Sequence, residues 1–157
     1  MTDIERSRLD WLAEHQRTYV RSGGTRGHIV DLRVIGGHAF TTTLLLRTVG
    51  RKSGQTRTAP LIYGDIGGEV VIVASKGGAD VHPQWYFNIK GSPEVSLQIA
   101  SEAFRATWRE PQGAERKEIW AFMEKIYPPY TEYQKATKRT IPLVMLKPGE
   151  SIEAFRE

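Results

Sequence analysis

Three strand-length apolar runs stand close together between residues 44 and 75, and the connections between them are short. "LLLRTV" (44–49) is followed by "GRKSGQ" and then by "TRTAPLIY" (56–63). "GDIGGE" then leads into "VVIVAS" (70–75). Parallel strands need a crossover of a dozen or more residues, whereas antiparallel ones close with a tight turn. The segment is therefore expected to fold as successive hairpins. Ala59, Leu61 and Tyr63 alternate onto one face of the second run, and "VVIVAS" reads as a buried strand.

The same signals continue downstream. "VSLQI" alternates at Val95, Leu97 and Ile99, and "FRATW" at Phe104, Ala106 and Trp108. "IPLVMLKP" reads as a last strand before a charged tail. Helical spacing appears at Leu9, Leu12, Gln16, Tyr19 and Val20, which predicts a helix over residues 3–20. The glycines and cations of "RSGGTRG" end it. A second helix is expected over 113–127, with Ile119, Trp120, Met123, Ile126 and Tyr127 on one face. A short tyrosine-rich helix follows Pro128-Pro129. "HPQWYFNI" is short and aromatic, with Pro83 suited to a first helical turn and "GSPE" as its stop. "HIVDLRVIGGHAFTT" stays ambiguous, with a strand pair around Gly36-Gly37 as one reading. About six strands with few βαβ units give an α+β fold, a closed or partly closed antiparallel barrel with flanking helices. No linker or repeat divides residues 1–157, so one domain is expected, with residues 1–43 as an N-terminal helix and variable leader.

Composition narrows the function classes. There is no cysteine, so disulfide and thiol chemistry are excluded. The first residues, "MTDIERSRLDWLAEHQ", are charged and do not read as a signal peptide. No apolar run approaches the roughly 20 residues that a membrane helix needs. The expectation is a cytoplasmic protein, with a peripheral membrane contact through the N-terminal helix left open. The net charge of +4 favours an anionic partner.

Several sites are absent from the chain. Gly50 to Ser53 lacks the spacing of a phosphate loop, and no Gly-x-Gly-x-x-Gly occurs. His15, His28, His38 and His82 are scattered without metal-ligand spacing, so no metal is expected. What remains are four separate features. Arg51, Lys52 and Arg57 surround Ser53 and Gly54 at a turn, where guanidinium forks and an ammonium suit phosphate or carboxylate. "ASKGG" (74–78) ends a buried strand with glycines that let backbone N–H groups approach a ligand. "HPQWYFN" (82–88) and "YPPYTEYQ" (127–134) are aromatic, the latter placing Tyr127, Tyr130 and Tyr133 near one helical face. Tyrosine three times over phenylalanine suggests that some hydroxyls reach water or a ligand.

In order, "GRKSG-x-x-R-x-x-P", "ASKGG", "HP-x-WY-x-N", "YP-x-Y-x-x-Y" and "IP-x-V" resemble the deazaflavin-dependent nitroreductase family. These are actinobacterial split β-barrel proteins that use coenzyme F420, an 8-hydroxy-5-deazaflavin with a phospholactyl-oligoglutamate tail. The resemblance runs from about Leu44 to Pro148. It implies a six-stranded split β-barrel and an anion site at Arg51, Lys52, Ser53, Gly54, Gln55 and Arg57 for the phosphate and the tail carboxylates. It implies that Val73, Ala74, Ser75 and Lys76 line the deazaflavin ring and that Gln84, Trp85, Tyr86, Phe87 and Asn88 continue that pocket. Tyr130 matches the tyrosine nearest the substrate, with Tyr127 and Tyr133 beside it. The chain departs from the family where Arg47, Thr48, Val49 and Gly50 replace a Thr-Thr-Thr-Gly run.

The implied activity is hydride transfer from the reduced deazaflavin to a small electrophile: an activated alkene, a quinone or a nitro compound. The protein would position the coenzyme and supply a proton or a hydrogen bond. Tyr130 is the first candidate donor and Ser75 the second. Two alternatives stay open. One is an FMN-dependent oxidoreductase on the same barrel, although the tail-binding cations serve FMN less well. The other is a non-enzymatic binder of nucleic acid or anionic lipid. A charge of +4, with cations on no single stripe, speaks against nucleic acid.

Overall fold

The computed structural model describes residues 3–33 and 36–157, with the backbone alone for residues 3–5 and 7–9. Helix α1 spans Asp3–Arg21. The strands are β1 (Ile29–Val30), β2 (Thr41–Val49), β3 (Thr56–Ile66), β4 (Glu69–Val73), β5 (Glu94–Ile99), β6 (Glu102–Arg109) and β7 (Leu143–Ile152). Helix α2 (Gln84–Lys90) lies between β4 and β5, while α3 (Gly113–Ile126) and α4 (Pro129–Lys135) lie between β6 and β7. Every described pairing is antiparallel, in the order β1-β2-β3-β4-β7-β6-β5, and β5 returns to β2. Strands β2 to β7 thus close a six-stranded barrel, and β1 is a short addition at its side. The α+β barrel expected from the sequence is the fold observed.

The hydrophobic pattern of each strand follows from what covers it. Inside the barrel, Leu44, Leu46, Val70, Ile72, Leu97, Val144 and Leu146 form the main core, with Ala59, Leu61 and Tyr63 packed against it. The outward residues Val71, Val73, Leu143 and Met145 meet Ile119 and Met123 of α3 in a second core. Outward Leu45 packs with Tyr19 and Val20 of α1 and with Phe155 in a third. Strands β2, β4 and β7 therefore read as near-continuous apolar runs because helices or the C-terminus cover their outer faces. Strand β7 also continues beyond the expected run, through Glu150 to Ile152, because β6 offers it a partner edge at Ala103 and Phe104.

The N-terminal third differs most from expectation. The strand pair at Gly36-Gly37 exists but is two residues long, Ile29 opposite Thr42 and Val30 opposite Thr41. Val34 and Ile35 within it lie outside the described residues, as does the side chain of Leu9. Helix α1 buries Tyr19 and Val20, whereas Leu12 and Trp11 are exposed. Among the described residues, the helix's buried side chains lie at its C-terminal end. The Tyr19 hydroxyl donates to the Thr43 carbonyl at 2.9 Å and accepts the Ala100 N–H at 2.9 Å. Gly24 then passes directly over the β5–β6 turn, where a Cβ on it would lie 1.6 Å from the Ala100 carbonyl oxygen.

That contact yields a paired prediction. Gly23 and Gly24 both have φ in the left-handed region, +65° and +86°, but a Cβ on Gly23 would meet nothing within 4 Å. Gly23→Ala should cost about 1–2 kcal/mol, the left-handed penalty of an L-residue. In a chain of this size that is a fall of roughly 2–8 °C in melting temperature. Gly24→Ala adds a backbone collision and should lower the melting temperature by more than twice the Gly23→Ala effect. Equal losses in the two variants, read by calorimetry, would contradict the close approach of this loop to Ala100.

Candidate active site

The turn between β2 and β3 is built to present cations. The Gly50 N–H donates to the Gln55 carbonyl at 2.7 Å and the Gly54 N–H to Gly50 at 2.8 Å. Gly54 sits at φ +73°, which explains the glycine. The Ser53 hydroxyl oxygen accepts the Gln55 N–H at 3.1 Å and braces the turn. Side chains then divide by strand alternation. Thr48, Arg57 and Ala59 face the barrel mouth, whereas Arg47 and Thr56 face the outside. Thr48 and Gly50, which match the Thr-Thr-Thr-Gly run, line the mouth, while the two departures from it, Arg47 and Val49, do not.

Helix α2 faces this turn. The Arg51 N–H donates to Asn88 Oδ1 at 3.2 Å, and its guanidinium donates to Gln84 Oε1 at 2.8 Å and lies 4.8 Å from the Phe87 ring centre. Buried Asn88 also donates to the Thr48 hydroxyl, so one amide ties turn, strand and helix together. Between them opens a cleft of about 490 Å³. It is lined by Gly50 to Ser53, by Thr48, Arg57, Thr58 and Ala59, and by Gln84, Trp85 and Asn88. Among the described residues, no carboxylate pairs with Arg51, Lys52 or Arg57.

A larger cleft of about 630 Å³ lies on the outer face of the hairpin, between α1 and the C-terminus. Its cations are already occupied. Arg17 pairs with Glu14 at 2.5 Å and Arg156 with Glu153 at 3.6 Å, while Arg47 lies 4.1 Å from the Phe155 ring centre and bonds to Thr58 and the Arg156 carbonyl. The smaller cleft, with its unmatched charge, is the better anion site.

Between β4 and α2 the chain forms a tight loop. Val73 ends β4, and buried Ala74 donates its N–H to the Pro142 carbonyl at 3.0 Å. Ser75 is right-handed (φ −80°, ψ −38°) and Lys76 left-handed (φ +45°), opening a single 3-10 turn over Lys76–Gly78. Arg139, from the segment between α4 and β7, grips this loop. Its Nε donates to the Ala79 carbonyl at 2.7 Å and its terminal nitrogens to the carbonyls of Ser75 at 2.8 Å and Ala74 at 3.2 Å. His82 Nδ1 stands 3.0 Å from the same guanidinium. Burial first, and the adjacent Arg139 cation second, hold His82 below its ordinary pKa, so the neutral ring accepts the guanidinium N–H.

Tyr86 turns away from the cleft. Its hydroxyl donates to Glu110 at 2.5 Å, and Lys90 donates to the other carboxylate oxygen at 2.5 Å. Burial opposes the charge on Glu110, but the bonds from Lys90 and Tyr86 outweigh it and hold the carboxyl below its usual range.

The three tyrosines are brought together on α4 and its approach. Tyr127 and Tyr130 rings meet edge-on at 4.9 Å, and the Tyr127 and Tyr133 hydroxyls lie 3.3 Å apart. The group does not line the cationic cleft. Tyr130 is 4% exposed and packs in the outer core, with Trp120 at 6.3 Å. Burial, then the neighbouring phenols, push its pKa well above the usual value, so it stays protonated at neutral pH. Tyr133 meets the 74–79 loop: a Cβ on Gly78 would lie 2.9 Å from the Tyr133 carbonyl oxygen. Turn, α2, loop and α4 thus follow one another in a continuous arc along one side of the barrel.

Sequence reasoning did not single out Thr48, Thr58, Ala59 or Arg139. For Arg139 a signal was present, because "QKATKRTIPL" (134–143) holds three cations and no acid. A guanidinium in such a segment, next to a buried strand, must find acceptors elsewhere, and backbone carbonyls are the ones available.

Comparison with known proteins identifies the family. The family described as F420H(2)-dependent quinone reductase matches residues 11–148. An F420H(2)-dependent quinone reductase of Mycobacterium tuberculosis is 36% identical over 135 residues, 84% of this chain and 86% of that protein. A solved structure of an F420-H2 dependent reductase, FDR-A, is 42% identical, with a TM-score of 0.62 over 67% of this chain and 93% of that one. Another, described as a domain-swapped dimer, is 37% identical, with a TM-score of 0.65 over 89% of this chain and 99% of that one. The heme storage protein HutZ of Vibrio cholerae, at 14% identity and a TM-score of 0.53, shares the fold alone. A family match over nearly the whole barrel, and relatives above 30% identity across most of both chains, place this chain in the F420H(2)-dependent quinone reductase family.

Proposed function

We propose that this chain reduces a small quinone with coenzyme F420, binding the coenzyme's anionic portion at the β2–β3 turn. The observation that carries this reading is the trio of Arg51, Lys52 and Arg57, left without carboxylate partners beside a cleft of about 490 Å³. Other cations on the surface are neutralised by carboxylates: Arg109 bonds to Glu69 and Glu115, and Lys90 to Glu110. Three unmatched cations on a braced turn repel one another unless an anion joins them, and they fit the phosphate and carboxylates of that coenzyme.

The bound coenzyme supplies a hydride equivalent for an electrophilic acceptor. The chain's own residues have three tasks. Arg51, Lys52 and Arg57 hold negative charge, with Arg51 fixed in place by Gln84 and Phe87. Trp85, Asn88 and the 73–76 segment shape the ring side of the site. A proton must finally reach the quinone oxygen that gains charge. Tyr130 Oη and Ser75 Oγ are the proposed donors. Ser75 is half-buried, and its hydroxyl makes no bond to the turn that it begins. Tyr130 is protonated but buried, so its part requires the substrate to enter beside α4. Other acceptors, an activated alkene or a nitro compound, place the same demand on these residues. A peripheral contact of exposed Trp11 and Leu12 with a membrane belongs to the same reading, because many quinones partition into lipid.

Two variants test these roles. A charge-assisted hydrogen bond is worth roughly 1.5–3 kcal/mol, so Arg57→Ala should weaken coenzyme binding about ten- to a hundredfold. The loss should shrink as salt is raised. Binding unchanged in Arg57→Ala, measured by fluorescence titration, would remove the turn from the site. Tyr130→Phe should leave affinity within about 1 kcal/mol of wild type, because the ring still packs. It should slow single-turnover quinone reduction by about a hundredfold or somewhat less, the lower end for a positioned proton donor. Single-turnover rates within twofold of wild type would assign the proton to Ser75 or solvent.

A further inference from the structure

We infer that Arg139 is a positioning residue: by taking the Ala74, Ser75 and Ala79 carbonyls it turns the Ser75 and Lys76 N–H groups to the opposite side, as a donor pair for an oxygen of the bound coenzyme or substrate. The inference rests on the proposed reading that residues 73–76 line the ring.

The argument is one of peptide geometry. The chain has no cis peptide among the described residues. In a planar trans peptide the C=O and the following N–H point in opposite directions. Arg139 takes the Ala74 carbonyl at 3.2 Å and the Ser75 carbonyl at 2.8 Å. The N–H groups of Ser75 and Lys76 are therefore directed away from the guanidinium. In an ordinary strand successive carbonyls alternate, and no single side chain could take both. Here the right-handed Ser75 swings the two carbonyls to one side, and left-handed Lys76 follows it. That conformational pair forms a concave donor nest suited to an oxygen of negative charge. Among the described residues the Ser75 N–H donates to no acceptor. A left-handed lysine is also disfavoured, and such strain persists where the surroundings hold it. Three guanidinium bonds, together with the close contact of α4 with Gly78, supply that hold.

Lysine cannot replace this arginine. One ammonium can donate to several acceptors, but it lacks the fixed fork that spans three carbonyls and a ring nitrogen. The ring nitrogen adds a pH dependence. His82 faces Arg139 across the loop, Tyr86 and Lys90 on α2, and Glu110 at the end of β6. Its neutral form accepts from Arg139. Protonation removes that acceptor and sets two cations side by side. The grip is therefore present when His82 is neutral and weakens as the pH falls through a value below 6.5, the ordinary one for histidine.

The test compares coenzyme F420 titrations of wild type, Arg139→Lys and Arg57→Ala across a salt series. Arg139→Lys should bind about tenfold more weakly with an unchanged salt slope, because the donors affected are uncharged. Arg57→Ala should weaken binding and flatten the slope. Arg139→Lys binding within twofold of wild type would overturn the inference while leaving the anion site standing. No effect in either variant would overturn the site reading and the inference with it. If Arg139→Lys does not fold, His82→Phe gives the second measurement, keeping a ring against Tyr86 and Phe87. Wild type should lose affinity on the acid side, and the loss specific to His82 should vanish in His82→Phe. Identical pH profiles for the two proteins would overturn the inference.

Discussion

Closure of the barrel by β2 against β5 is the constraint from which the site follows. Leu44 to Arg47 pair with Ile99 back to Ser96, while the other edge of β2 pairs with β3 from Thr43 to Val49. A strand bonded on both edges cannot slide by one residue without moving Leu44 and Leu46 out of the core and Arg47 into it. The register fixed by those leucines therefore decides that Thr48 and Arg57 face the mouth and that Arg47 faces α1. The cationic turn is placed by apolar burial some residues away, and its own residues have only to keep it tight and charged.

The charges show a division of labour. Surface cations such as Arg109, Arg33 and Lys90 sit beside carboxylates at 2.5–2.8 Å. Exposed pairs of this kind add little stability, but they leave no net charge for a ligand to meet. At the turn the arrangement is reversed. Arg51 is held by an amide oxygen and an aromatic ring, both uncharged, so that its orientation is fixed and its charge is kept. Arg139 is different again: its bonds go to backbone carbonyls and a neutral histidine. Three arginine environments thus coexist in one small barrel: carboxylate-paired, charged without a carboxylate partner, and bonded to backbone carbonyls.

Much of this was legible in the chain. The hairpins from Leu44 to Ser75 and the alternation at Val95, Leu97 and Ile99 follow directly from period-two patterning and short turns. The Gly50–Arg57 turn could be read because its shape and charge depend on neighbours in sequence. Buried Gln98 could not. It interrupts the outer face of β5, and its partners, the Phe155 N–H at 2.6 Å and the Ala100 carbonyl at 3.0 Å, come from the fold. Arg139 and His82, 57 residues apart, met only once the loop was closed. The tyrosine repeat was read as one helical face, but Tyr127 is the non-helical cap that ends α3, and only Tyr130 and Tyr133 lie on α4. Leu32 packs in the same core, and a Cβ on Gly37 would lie 2.9 Å from the Tyr127 ring. No local pattern encodes those contacts.

The central claim is that the β2–β3 turn and the arc beside it select coenzyme F420. The most direct measurement is equilibrium titration of the purified chain with F420 and with FMN under one buffer and salt condition, followed by fluorescence. The account predicts micromolar or tighter binding of F420 and a dissociation constant for FMN at least about tenfold higher, a difference of about 1.4 kcal/mol. FMN binding as tight as F420, or tighter, would contradict it.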